Sequence, residues 1–259
     1  MTRRVVVFDL GGVLLDWNPR HLYRKLFDDE ARMEWFLSTI CTSIKGKKKR
    51  CTTSSTWVHD NHNTWNGCVT DRGDDNQPHS SNYDTNVLPP STSIQASLFT
   101  AEQYDNCSPK IMPLSYDWAG MKTLVDSFYP AGNTNQGIGI AHGWMSLVGG
   151  GPYPAPPAED PNYKYTKAII LMSDGLNTEN RWYTNQNQID GREALTCANA
   201  KAAGIVIYTV QVNTGGDATS TVLKNCASTD KFTEIKTANQ LVSTFNAIGT
   251  ALSNLRIAQ

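Results

Sequence analysis

Three side chains carry oxygen chemistry at positions where an α/β sheet gathers its ligands: Asp9, Thr134 and Asp174. Asp9 follows the apolar run Arg4-Val-Val-Val-Phe8. Thr134 lies in Gly132-Asn-Thr-Asn-Gln-Gly137, ahead of a helical pattern, and Asp174 lies in Ser173-Asp-Gly-Leu-Asn177, after a second apolar run. Two carboxylates and a hydroxyl are hard oxygen donors, suited to Mg²⁺ or a similar ion that keeps several of its waters. Taken one at a time, the same residues also serve as caps, because Asp and Thr at helix starts accept hydrogen bonds from free backbone amides.

Cysteine is the other reactive type, at 41, 51, 68, 107, 197 and 226. Cys68 and Cys107 flank an Asn/Ser/Pro-rich stretch, and Cys197 and Cys226 fall on two predicted helices separated by one strand. Both pairs suit bridges in an oxidising compartment. Cys41 and Cys51 stand at a break in composition and are expected to remain outside those bridges. No Cys-x-x-Cys occurs, which argues against a zinc ribbon.

The elements that must position these residues follow from periodicity. Residues 4–8 read as a buried parallel strand closed by Asp9-Leu-Gly-Gly12. Leu22, Leu26, Met33, Phe36, Leu37 and Ile40 approximate a helical repeat over 20–40, introduced by Asn18-Pro19. Residues 57–110 read as an irregular insertion rather than a regular layer. Trp118, Met121, Leu124, Val125 and Phe128 make one apolar helix stripe. Ile138, Ala141, Trp144, Met145 and Val148 make another, ended by Gly149-Gly-Gly151.

Strands and helices then alternate: a strand over 168–172, a helix over 191–203, a strand over 205–212, a short helix over 219–226, a strand over 231–235 and a last helix. That helix opens on a capping box, Thr237-Ala-Asn-Gln240, with Leu241, Phe245, Ile248, Leu252 and Leu255 along one face. The expected fold is α/β, a Rossmann-like parallel sheet flanked by helices, with any site at the carboxyl ends of the strands.

The 259 residues are 39% hydrophobic and 18% charged with a net charge of -1, values of a globular chain rather than a disordered one. That charge is uneven. Residues 1–50 hold 11 Lys and Arg against 6 Asp and Glu, and the remainder holds 12 against 18. The basic run Lys45-Gly-Lys-Lys-Lys-Arg50 reads as a solvated tether. Without interleaved aromatics it does not argue for nucleic acid. No apolar run reaches 18 residues, and Met1-Thr-Arg-Arg4 places charge too early for a secretory core, so the chain as written is expected to carry no span and to stay cytoplasmic.

From about Trp57 to Gln259 the chain resembles the C-terminal part of tight-adherence (Tad, Flp-type) pilus-assembly proteins that carry a von Willebrand factor A domain. The resemblance rests on Trp65-Asn-Gly-Cys-Val-Thr-Asp-Arg72, Pro113-Leu-Ser-Tyr-Asp-Trp118, Gly132-Asn-Thr-Asn-Gln-Gly-Ile138, Asp160-Pro-Asn-Tyr-Lys-Tyr165, Ile169-Ile-Leu-Met-Ser-Asp-Gly-Leu-Asn-Thr178 with Arg181-Trp-Tyr183, and Tyr208-Thr-Val-Gln-Val212. It implies a non-enzymatic protein-binding module whose metal-ion-dependent adhesion site combines an Asp-x-Ser-x-Ser strand end, a loop Thr and a loop Asp. Thr134 and Asp174 match the last two, and no Asp-x-Ser-x-Ser is present. It also implies an inner-membrane protein with its A domain on the periplasmic side, where Cys68–Cys107 and Cys197–Cys226 could form.

Residues 1–41 resemble a different family. Val6-Val-Phe-Asp-Leu-Gly-Gly-Val-Leu-Leu-Asp16 is similar to the opening motif of haloacid-dehalogenase-like hydrolases, in which the first Asp is the nucleophile and a Mg²⁺ ligand. Asp9 matches it, while Gly11 stands where the second acid is usual. Ser173, Lys201 and Asp74-Asp75 have the residue types of the later family parts but not their order.

The chain therefore reads as chimeric or fused: a dehalogenase-like fragment over 1–41, a basic junction over 42–56, and an A-like pilus-assembly region over 57–259 that has lost its own start. The first strand of an A domain lies inside the sheet, so residues 4–9 are expected to fill its place beside the strand at 168–172. Asp9 is then expected near Thr134 and Asp174 in a degenerate site that holds Mg²⁺ weakly or not at all. The alternatives are a Mg²⁺-dependent phosphatase or hydrolase using Asp9, and a nonfunctional fusion fragment.

Overall fold

A computed structural model describes residues 7–8, 65–73, 89–101, 108–129, 132–150 and 152–254, with side chains for all but 7, 8, 253 and 254. The chain divides into one unit of Met1–Val13 with Trp65–Gln259, and a second, Leu14–Thr64, of which no residue is described. The expected helix over 20–40, the basic run and Cys41 and Cys51 therefore lie outside the described residues.

The first unit is an α/β fold around a parallel sheet. Its strands are β1 (Val7–Phe8), β4 (Ala168–Ser173), β5 (Val206–Val212) and β6 (Phe232–Ile235), in the order β1-β4-β5-β6. Val7 pairs with Leu171 and Phe8 with Met172, both in parallel, so the amino-terminal strand does lie beside β4. β4 and β5 run in register from Ala168 opposite Val206 to Ser173 opposite Gln211, and Thr209 to Val212 pair with Phe232 to Ile235. Every residue of β4 is buried, as a strand covered on both faces requires.

The two faces divide with the period of a strand. Ile169, Leu171 and Ile207 face Ile140, Ala141, Trp144, Met145 and Leu147 of α2 (Gln136–Val148). Cys197 and Ala200 of α3 (Gln186–Ala202) and Leu223 and Cys226 of α4 (Thr221–Cys226) complete that layer. Ala168, Ile170, Met172, Tyr208, Val210 and Ile235 face the other way, against Ile248 and Leu252 of α5 (Asn239–Asn254). Gln240 Oε1 accepts from the backbone N–H groups of Thr237 and Lys236 ahead of α5, which is one arm of the expected capping box.

Helix α2 stops at Gly149, whose φ of 76° disfavours any other residue; a Cβ there would also lie 2.6 Å from Pro156 Cδ. Its buried face includes Ile140 and Leu147, while Val148, expected inside, is exposed. The helix is apolar almost all round, so its sequence offers little contrast by which to fix the rotation.

Two further expectations need correction. The stripe on α1 (Trp118–Asp126) does not reach the core: no residue of this helix is buried, and Trp118 is 72% exposed. Within 57–110, read as irregular, β2 (Val69–Arg72) and β3 (Phe99–Ala101) form a two-stranded antiparallel sheet, with a 3₁₀ turn at Gln95–Ser97. β2 escapes recognition because its buried residues are polar: Thr70, Asp71 and Arg72.

Candidate functional site

The Thr134 loop and the loop after β4 meet at the carboxyl end of the sheet. Thr134, itself buried, donates its backbone N–H to Thr178 Oγ1 at 2.8 Å, and its carbonyl accepts from Thr178 N at 3.0 Å and Glu179 N at 3.4 Å. Asn133 Nδ2 adds a bond of 2.6 Å to Glu179 Oε2. The next residue, Asn135, caps α2 by accepting from Ile138 N at 3.3 Å. The segment Gly132–Ile138 is therefore held open as a loop on one side and begins a helix on the other.

Gln136 fastens the same helix start to the β4 loop. Its backbone N–H donates to Asn177 Oδ1 at 2.8 Å, and its Nε2 donates to Ser173 Oγ and to the Gly175 carbonyl, each at 2.9 Å. These two acceptors flank Asp174 on either side in the chain. Asp174 itself projects into solvent, and the matter packed around it raises its carboxyl above the ordinary value.

Beneath the loops is a buried polar brace. Asn177 Nδ2 donates to Asp190 Oδ1 at 2.8 Å and to Glu193 Oε2 at 2.7 Å, both from α3. Burial raises the Asp190 carboxyl, against the hydrogen bonds from Asn177 and Gln186. A second brace comes from β2. Asp71 Oδ2 accepts from Asn135 Nδ2 at 2.7 Å and from Arg181 N at 3.1 Å, while Arg181 Nη1 donates to the Asp71 carbonyl at 3.2 Å. Asp71, Gln136, Asn177, Asp190 and Glu193 carried no role in the sequence reading. Polar residues in polar stretches give no periodic signal, and only the contacts across the fold reveal them.

Of the three oxygen ligands expected from sequence, Thr134 and Asp174 sit on loops that the structure joins, and Asp9 lies outside the described residues. The donor set fits a hard cation in kind. Besides the hydroxyl and the carboxylate, Gln136 Oε1 is a buried carbonyl oxygen with no hydrogen-bond partner, and amide oxygens are ligands of the same class. Ser173 adds little, since its Oγ already accepts from Gln136 and donates to the Gly175 carbonyl at 3.2 Å. So few protein ligands leave most of an octahedral ion to water or to a partner.

Of the residue types that suggested hydrolase chemistry, Ser173 and Lys201 fall among the described residues, and Lys201 is engaged elsewhere. Lys201 Nζ donates to the carbonyls of Asn225 at 2.7 Å and Ala227 at 3.3 Å. It stands eight residues beyond Glu193 on α3, roughly 12 Å of helix rise away from the end that braces the β4 loop. Asp74 and Asp75 lie outside the described residues.

Cys197 and Cys226 are joined as a disulfide between α3 and α4. Cys68 is disulfide-bonded, while Cys107, its expected partner, lies outside the described residues. A separate polar stack lies on the outer side of α2. His142 packs on Phe99 with ring centroids 4.4 Å apart, its Nδ1 is hydrogen-bonded to the Tyr153 hydroxyl, and Arg72 lies over the same Phe99 ring. Burial, and secondarily Arg72, push the His142 imidazole down to about 4.

No known family model matches the chain, and comparison with the curated proteins finds no match. Among the described residues, no helix is long and apolar enough to cross a membrane.

Proposed function

We propose that the chain is a non-enzymatic protein-binding and assembly module of a Tad/Flp-type pilus system, in which a loosely held Mg²⁺ completes its coordination with a partner's carboxylate. What supports this reading is the stitching of the Thr134 loop to the Asp174 loop, through Thr134 N to Thr178 Oγ1 and Thr178 N to the Thr134 carbonyl, at the carboxyl end of a parallel sheet. Such an end is where open α/β sheets present ligands. Asp174 and Thr134 would hold the ion, with Asp9 as the third oxygen that the family resemblance implies. A bound ion would supply a positive charge for an incoming carboxylate, and the protein holds the two joined loops in place. Asp71, Asn177 and Gln136 do that work, since each bonds both to a loop and to the scaffold beneath it. The Cys197–Cys226 bond suits the oxidising, periplasmic side that the resemblance implies.

The test is retention of the full chain on immobilised glutamate-bearing peptides, with Mg²⁺ and with a chelator. Retention that needs Mg²⁺ and is lost in Asp174→Ala is expected. Equal retention in chelator contradicts the proposal. Mg²⁺-dependent turnover of a generic phosphate ester, abolished by Asp9→Asn, would instead favour the hydrolase.

A further inference from the structure

Glu193 and Cys197 are four residues apart on α3 and so project from one face of that helix. Cys226 ends α4 against the same face. A Glu193 carboxylate oxygen and the two sulfurs lie within 4.8 Å of one another, and all three residues are buried. Each position is held independently of the disulfide. Asn177 Nδ2 bonds Glu193 Oε2, and Lys201 Nζ bonds the carbonyls of Asn225 and Ala227 on either side of Cys226. Opening the bridge therefore leaves the three ligand groups facing one another.

As a disulfide the sulfurs cannot ligate, because the metal ligand is the thiolate. A dithiol reductant changes that. The sulfur–sulfur bond breaks as the dithiol supplies two electrons and two protons, giving two thiols on the protein, and the dithiol leaves oxidised to its own disulfide. Two thiolates and a carboxylate cannot share a buried volume without a counter-charge, so the thiols keep their protons until a cation displaces them. The displaced protons leave to solvent, and a divalent ion then offsets two of the three negative charges. Thiolate sulfur selects against Mg²⁺ and Ca²⁺ and favours Zn²⁺, which accepts mixed sulfur and oxygen ligands in a four-coordinate site with water in the remaining position.

We propose that Cys197, Cys226 and Glu193 form a redox-gated zinc site, closed to metal as a disulfide and occupied by Zn²⁺ once a dithiol has reduced it. This site lies beneath the Thr134 and Asp174 loops and shares the Asn177–Glu193 bond with their brace, but zinc uptake on reduction does not depend on the pilus-assembly reading.

The test uses the full chain, oxidised or reduced with dithiol and desalted under argon, titrated with Zn²⁺ against a chromogenic zinc chelator. The reduced chain is expected to hold a further tight equivalent that the oxidised chain lacks. That equivalent is expected to be absent in Cys226→Ser and weakened roughly tenfold or more in Glu193→Gln. Because the remaining cysteines also bind zinc when reduced, equal uptake by the reduced wild type and Cys226→Ser would overturn the proposal. Should either variant fail to fold by circular dichroism, site-resolved labelling of the reduced wild type decides. Zn²⁺ is expected to slow iodoacetamide labelling of Cys197 and Cys226, resolved by peptide mass, and unchanged labelling would overturn it.

Discussion

Asp71 Oδ2 accepts from Asn135 Nδ2 at 2.7 Å across 64 residues of sequence, so a buried acid on β2 holds the cap of α2. The same oxygen takes Arg181 N at 3.1 Å, beyond the β4 loop. Asp71→Ala leaves these donors without their acceptor and is expected to cost about 3 kcal/mol, read as a lower urea midpoint. Asp71→Asn, which keeps one carbonyl oxygen, should cost clearly less. Equal losses in the two variants would show that the acceptor is not what matters.

Asn177 gives its side-chain N–H groups to two carboxylates, Asp190 and Glu193. Asn177→Asp keeps the shape and reverses the sign of that interaction, placing a third acid against two. Destabilisation by a few kcal/mol at pH 7 is expected. The deficit relative to wild type should shrink as the pH falls, because burial raises the Asp190 carboxyl and protonation relieves the crowding of acids. A deficit that stays constant between pH 7 and 4 would contradict the brace.

His142 makes stability depend on pH with a definite sign. The unfolded chain binds the imidazole proton near 6.5, whereas the folded chain excludes it until about 4. The unfolded state therefore holds more protons between these values, and stability falls as the pH drops through that window, by up to about 3 kcal/mol. Above 6.5 and below 4 this group contributes no slope. Denaturation series on wild type and His142→Phe should differ in slope inside the window and run parallel above it.

The Cys197–Cys226 bond closes a loop with a sequence separation of 29. Restricting the unfolded chain over that length stabilises by about 3–4 kcal/mol. Cys197→Ser with Cys226→Ser should lower the thermal midpoint by an amount matching that range, and reduction of the wild type without zinc, which also opens the Cys68 bridge, should lower it at least as far.

Much of this fold is legible from the sequence, for reasons that differ by element. β4 announces itself as the apolar run Ala168-Ile-Ile-Leu-Met172, as a strand buried on both faces does, and β5 is marked by Val206, Ile207, Val210 and Val212 although the polar Thr209 and Gln211 are buried among them. α5 shows its buried Ile248 and Leu252 at helical spacing. The disulfide follows from two cysteines on helices that flank one strand. β2 stays hidden because Thr70, Asp71 and Arg72 are buried yet polar, and their burial is tolerable only with partners distant in sequence. At the candidate site, Thr134 and Asp174 are visible as loop residues after or before regular elements. What sets their loops, Gln136 and Asn177 above all, is visible only once α2, β4 and α3 are packed together.

A Mg²⁺ titration followed by amide shifts in a nitrogen-labelled sample addresses the cation loops most directly. The amides of Thr134, Gly175 and Thr178 should move together and saturate at roughly millimolar Mg²⁺, as expected for an ion with few protein ligands, and the movement should vanish in Asp174→Ala. Amides that stay still up to saturating Mg²⁺, or that respond with sub-micromolar affinity, would contradict a weak cation site built from these two loops.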